Sequence, residues 1–205
     1  KELYGDVEEI PGNGIITKPG LAYGTFHQVQ YAGVNPSNGA PLWYDKDGNV
    51  VDYYSEENLV ALEGKSYLPP YSGGFTNTFN YRGISLSAQF AWMAQKYLVN
   101  NTRYFVESNG QFATYNQTVE MLEYWKEPGD ITPNPSPDYA TNYFDTRLVE
   151  DASFLRLRDL TLSYTLPAAI AQQVKHFQSL RVYVKGRNLY TLTNYKGLDP
   201  EYYGV

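Results

Sequence analysis

The sequence predicts an all-β protein of antiparallel strands about ten residues long, and three observations predict it. Apolar and polar residues alternate over several stretches, the period-2 pattern in which successive side chains point to opposite faces. The composition favours strands: Tyr accounts for 21 of the 205 residues, aromatics for 16%, and Asn, Thr, Ser and Gly are frequent while Leu-rich helical repeats are missing. Some connections are very short and others very long, which a soluble sandwich, with turn signals roughly every 8–12 residues, does not show.

Residues 1–21 read as irregular, with "IPGNG" and "KPG" as turn signals. A first strand is expected over 22–32, where Tyr23, Val29 and Tyr31 share a parity. Residues 33–74 read as loop, because "NPSNGAP" and "DKDGN" supply the residues that tolerate positive φ or pre-set it. Within them "SEENLVALEG" predicts one helical turn capped by Ser55. Two strands near 73–82 and 83–93 then meet at Arg82-Gly83. Before that pair the apolar residues are odd-numbered (Phe75, Phe79, Tyr81), and after it even-numbered (Ile84, Leu86, Ala88, Phe90, Trp92). A two-residue hairpin loop makes facing residue numbers sum to an odd value, so the phase change keeps one apolar face continuous through the turn. Arg82 is not a favoured hairpin residue, which leaves the turn type open. The other face carries Thr76, Thr78, Asn80, Ser85, Ser87 and Gln89, polar and uncharged.

Residues 93–153 read as a long mixed connection. "NQTVEMLEYW" predicts a short helix, and "EPGDITPNPSPDY", with four prolines, rules out a helix or central strand. Residues 154–166 alternate again. Leu155 and Leu157 are out of phase with Leu160, Leu162 and Tyr164, which predicts a bulge near Arg158-Asp159. After a connector over 167–179, a strand is expected over 180–190, followed by loop.

Strands of this length, with short turns at one end and long loops at the other, describe an outer-membrane barrel, whose apolar face meets lipid and whose polar face lines the lumen. A soluble or surface β-sandwich, such as a carbohydrate-binding module, uses the same strands with the apolar face turned inward. Periodicity alone leaves both open. No stretch approaches the length of a transmembrane helix, so a helical membrane protein is excluded. A net charge of −6 argues against a nucleic-acid surface. Cys is absent and only two His occur, His27 and His176, so neither a thiolate nor a His-based metal site is supplied, and no cofactor is expected. Five strands cannot close a large barrel, and no secretory signal opens the chain. It therefore reads as a portion of a longer protein.

At 151–200 the sequence becomes specific. "DASFLRLRDLTLSYTLP" followed by "LRVYVKGRNLYTLTNYKGLDPE" resembles the C-terminal part of SusC/RagA-type TonB-linked outer-membrane proteins. Upstream, "PPYSGGFTNTFNYRGISLSAQFAW", "YWKEPGDITPNP" and "YAGVNPSNGAPLWYDKDGN" are similar to its hairpin and loop segments. The resemblance implies part of a 22-stranded barrel, a size class whose lumen holds a plug, with the plug domain and last strands absent from this chain. It implies nutrient import, of oligosaccharide or peptide, driven by TonB through the missing N-terminal part. It implies a SusD-like surface lipoprotein as partner and outer-membrane lipid as surroundings. Arg82-Gly83 and 167–179 would face the periplasm, and 33–74, 93–153 and 191 onward the exterior.

Candidate contact residues are the loop aromatics Trp43, Tyr44, Tyr53, Tyr54, Tyr139 and Tyr143, because aromatic faces stack on sugar rings and anchor partners. Tyr67 and Tyr71 belong to the same loops. Asp45 to Asn49 could begin a calcium loop but lacks the later ligands, and reads as a plain turn. Glu56, Glu57 and Asp130 could form a hydrolytic carboxylate set, yet stand amid turn residues and read as solvated charges. No catalytic residue is assigned and the protein is not expected to be an enzyme. His27 is expected in the wall of the first strand and His176 in a turn.

Overall fold

The computed structural model describes residues 3, 8–167, 170 and 179–202, in two compact units. One comprises Lys1–Leu68, Gln95–Ala152 and Tyr195–Val205, the other Pro69–Ala94 and Ser153–Asn194. In chain order the strands are β1 (Ile10–Pro11), β2 (Ile15–Thr17), β3 (Thr25–Val29), β4 (Tyr31–Val34), β5 (Pro41–Tyr44), β6 (Val50–Val51) and β7 (Leu59–Ser66). They continue with β8 (Tyr71–Tyr81), β9 (Ile84–Ala94), β10 (Tyr97–Val99), β11 (Val149–Asp151), β12 (Phe154–Thr165) and β13 (Arg181–Thr193). One helix, α1 (Asn101–Val106), and three 3-10 turns complete the described elements. None of these helices is long and apolar enough to cross a membrane.

The second unit is a four-stranded antiparallel sheet in the order β13-β12-β9-β8. Its hairpin register is the odd-sum one: Tyr81 faces Ile84, Phe79 faces Leu86 and Phe75 faces Phe90. Arg82 (φ 47°) and Gly83 (φ 86°) both lie in the left-handed region, which a type I′ two-residue turn requires. The Thr165 N–H donates to Gly83 O at 2.8 Å. A Cβ on Gly83 would stand 2.7 Å from Thr165 O. Gly83→Ala therefore combines left-handed strain with a clash, and is expected to cost about 1–3 kcal/mol. Chemical denaturation of the full-length protein would read this as a lower midpoint, and an unchanged midpoint would refute it.

The faces follow from the ladders, since directly opposed residues share a face. Phe79, Leu86, Leu162 and Val184 form one rung across all four strands, and Tyr81, Ile84, Tyr164 and Val182 the next. Beyond them Phe75, Phe90, Leu157 and Tyr190 align, with the Phe75 and Phe90 rings stacked at 4.8 Å. The ladders shift register between Leu157 and Asp159. That bulge absorbs Arg158 and returns Leu155 and Leu157 to the face of Leu160 and Leu162, which explains the phase break in the sequence. This apolar face is uncovered: Phe79 is 66% exposed, Leu162 51% and Val184 73%. A sandwich would have covered it.

The first unit holds smaller sheets, β1-β2-β3-β7 and β4-β5-β6, and the β10-β11 ladder. Its core is Phe26, Leu62 and Val149, packed against Ile15, Val60, Tyr67, Tyr97 and Val99. Here the structure departs from the sequence expectations. The strand expected over 22–32 is two strands, β3 and β4, in different sheets. The loop expected over 33–74 contains β5, β6 and β7 and the start of β8. These strands are short, and glycines in the left-handed region (Gly33, Gly39, Gly64) interrupt them, so no long alternation betrays them. Ser55 does cap a turn, its side chain accepting from Glu57 N, but only Glu56–Asn58 are helical. The helix expected within "NQTVEMLEYW" is the 3-10 turn Val119–Leu122, while α1 lies earlier. Strand β13 runs to Thr193, past the expected end at 190. His176 and most of the connector 167–179 lie outside the described residues.

Candidate functional site

The site is built on β4 and β5, where Tyr31 pairs with Trp43. Trp43 is 2% exposed, and its indole N–H donates to Asp145 Oδ2 at 3.0 Å. Asp145, fully buried, opens the 3-10 turn Thr146–Leu148 and accepts from Arg147 N. The Arg147 guanidinium closes a fork on the same carboxylate, with Nε at 2.9 Å from Oδ1 and Nη2 at 2.7 Å from Oδ2. That charge-assisted geometry satisfies a carboxylate that could not otherwise be buried. Arg147 also donates to Thr141 O at 2.9 Å and lies 4.3 Å from the centre of the Tyr31 ring. Burial pushes the Tyr31 hydroxyl up to about 12, with Arg147 opposing and Asp145 adding to the shift.

Around Trp43 the aromatics nest. Tyr143 meets it edge-on at 5.1 Å, Tyr54 stacks on Tyr143 at 4.7 Å, and Tyr54 touches Trp43 edge-on at 5.9 Å. The Tyr54 hydroxyl donates to Phe144 O at 3.2 Å. Its pKa is raised by burial first and then by Glu56 and Asp145. Tyr54 and Phe144 form part of a cavity of about 620 Å³, lined also by Tyr195 and Tyr202 and by His27, Gln28, Asn13, Asn101 and Glu56. Aromatic walls with a few convergent polar groups are the usual form of a small-ligand site. Buried Lys96 donates to Pro200 O at 2.8 Å and Tyr202 O at 3.0 Å, holding the segment that carries Tyr202 in place.

Of the sequence candidates, Trp43, Tyr54 and Tyr143 come together. Trp43 is packing rather than surface, whereas Tyr54 and Tyr143 are half-buried. Tyr44 and Tyr53 are separately exposed, at 37% and 56%. Tyr139 is half-buried elsewhere, its carbonyl accepting from Asn109 Nδ2 at 3.1 Å. Tyr67 packs on the core and Tyr71 opens β8. His27 sits in β3, as a wall residue of the cavity. Sequence reasoning missed Asp145 and Arg147. The available signal was an Asp opening a helical turn, but nothing local announces that Trp43, 102 residues away, donates to it. It also missed Lys96, Tyr195 and Tyr202.

Asp45 spends its carboxylate on its own turn, Oδ1 accepting from Asp47 N and Asn49 N, and Oδ2 from Asn49 Nδ2. Among the described residues no cluster of three or more His, Cys, Asp or Glu is placed to hold a metal. Asp130 likewise accepts from Lys126 N and Glu127 N in its own turn, and only Glu56 of the three weighed carboxylates lines the cavity.

No family model matches the chain. It is 26% identical over 215 residues to a TonB-dependent receptor of Formosa agariphila, covering 95% of this chain and 21% of that protein. To the TonB-dependent receptor SusC of Bacteroides thetaiotaomicron it is 26% identical over 198 residues, covering 90% of this chain and 18% of the relative. Among solved structures, the RagAB peptide importer in its open-open state matches with a TM-score of 0.88 at 36% identity, over 98% of this chain and 22% of that one. The closed-closed state gives 0.85 over 97% and 23%. The chain thus spans about a fifth of the length of these relatives. With long antiparallel strands, an uncovered apolar face and these likenesses together, the chain is a fragment similar to the barrel of the SusC/RagA-like TonB-dependent receptors, which are proteins of the bacterial outer membrane.

Proposed function

We propose that the chain forms part of an importer that carries a nutrient, oligosaccharide or peptide, across the outer membrane. TonB supplies energy through a segment N-terminal to these residues, and a SusD-like surface lipoprotein lids the barrel. The observation that carries this reading is the 36% identity, over 98% of the chain, to the RagAB peptide importer. The turn at Arg82-Gly83 faces the periplasm, and the loops that build the aromatic site face outward. Tyr54 and Tyr143 offer stacked ring faces beside the cavity, and Tyr44, Tyr53 and Tyr139 supply further contacts.

The test uses cells whose sole copy is the full-length protein, supplied with fluorescent oligosaccharides and peptides. Loss of the protein should abolish uptake of at least one class, and uptake that persists unchanged sinks the importer reading. Tyr54→Ala with Tyr143→Ala should lower that uptake roughly tenfold or more at equal surface level, the scale of an aromatic anchor. Unchanged uptake would remove the aromatics from the contact surface while leaving import intact.

A further inference from the structure

The aromatic cavity draws its rings from stretches far apart in the sequence. Tyr54 and Phe144 stand beside the Asp145–Arg147 network, whereas Tyr195 and Tyr202 come from the segment after β13. Residues 194–202 carry neither strand nor helix, so no ladder sets where those two rings sit. Side chains from elsewhere grip the main chain of the segment instead. Lys96 holds its far end, and Glu150 of β11 holds its near end, Oε2 accepting from Lys196 N at 3.0 Å.

Glu150 is itself gripped. Its Oε1 accepts from Arg103 Nη1 at 2.9 Å and from Asn100 Nδ2 at 3.3 Å. Arg103, on α1, gives its Nε and Nη2 to Glu107 Oε2 at 2.8 and 2.7 Å. Its Nη1 also donates to Arg147 O. One planar guanidinium thus meets three partners at once, which its rigid fork of donors permits and a lysine ammonium does not reproduce. It joins the main chain of the turn that follows Phe144 to the carboxylate that holds Lys196. The side chains of Arg103, Glu107 and Glu150 are only 24%, 17% and 13% exposed. Solvent screens them little, and removing one leaves its partners charged and half-buried.

We infer that Glu150 and Arg103 are positioning residues of the aromatic cavity, which register the segment of Tyr195 and Tyr202 against that of Phe144. Neither residue lines the cavity; both act through the rings. The inference rests on the reading of these rings as a contact surface for the imported molecule.

The experiment uses the full-length protein and reads position and transport separately. Position is read by hydrogen exchange. Glu150→Gln sets an amide donor against one of the donors that Glu150 now receives, so amides of 195–202 should exchange roughly tenfold faster, the scale of one charge-assisted hydrogen bond. Arg103→Gln should do the same without touching that segment, and Arg103→Lys should fall between. The β10-β11 ladder, built from main-chain pairs, reports whether the variants remain folded. Transport is read as uptake by cells of whichever fluorescent oligosaccharide or peptide probe the parent imports, at equal surface level. Glu150→Gln should raise the half-saturating concentration roughly tenfold at an unchanged maximal rate. In a background of Tyr195→Ala with Tyr202→Ala it should add nothing, because its effect passes through those rings. Unchanged exchange at 195–202 in both Gln variants overturns the inference. So does an uptake loss that is as large without the rings as with them. Exchange that responds while the ringless background imports like the parent supports the tether and sinks the contact-surface reading instead.

Discussion

Leu86→Lys is expected to destabilise the full-length protein in lipid by about 2–4 kcal/mol, the cost of a cation on the lipid face near mid-bilayer. Leu86 belongs to the rung of Phe79, Leu162 and Val184, whose side chains point to the uncovered side. Its chain neighbour Ser87 points the other way, toward Thr78, whose hydroxyl donates to Ser87 Oγ at 3.2 Å. Ser87→Lys should therefore stay within about 0.5 kcal/mol of the parent, as surface changes do. Denaturation in lipid vesicles and heat-modifiable migration measure both. Equal tolerance of the two changes would show that the apolar face does not meet hydrocarbon. Loss of folding at Ser87 alone would reverse the assignment of the faces.

Asp145→Ala is expected to cost about 3–5 kcal/mol locally, because it strips a buried carboxylate from Arg147 and Trp43 and leaves the guanidinium with only part of its partners. The remaining acceptor for Arg147 Nη2 is Thr141 O, and the indole N–H of Trp43 loses its bond inside the fold. The loss should appear as faster hydrogen exchange across β4, β5 and residues 141–149, with Tyr54 and Tyr143 displaced from their stack. The β8-β9 hairpin is held by its own ladder and by that with β12, and should keep its protection. Asp145→Asn, which can still accept from the indole, should fall between. Unchanged exchange at β4 and β5 would mean that the ion pair does not hold the aromatic nest.

These two sites differ in how much of them could be read beforehand. The hairpin was legible because strand side chains repeat every second residue, so a shift in parity reports the loop length directly. The bulge at Arg158 was legible for the same reason, since two leucines out of phase need one extra residue to rejoin their face. The strands β5, β6 and β7 were not, because two to eight residues broken by glycines leave too few periods to detect. The aromatic nest was half legible. Enrichment in Tyr and Trp marked the loops, and three of the six marked residues do meet. What brings them together is a buried carboxylate far away in the chain, and pairing at that range leaves no local trace. The grip of Glu150 was invisible for the same reason, since Arg103 is 47 residues from it and Lys196 is 46.

One feature of the large sheet bears on how the protein is made. Among the described residues β8 and β13 each have a single neighbouring strand, so each presents a free row of amide and carbonyl groups along 11 and 13 residues. In hydrocarbon such rows are not tolerated, because no water is there to satisfy them. The sheet therefore cannot enter the bilayer by itself, and insertion becomes a collective event completed only when strands on both flanks have docked. Before that moment the same rows, joined to a bare apolar face, are a template for stacking with other chains. Delivery to the membrane must accordingly keep nascent copies apart until the flanking strands have docked.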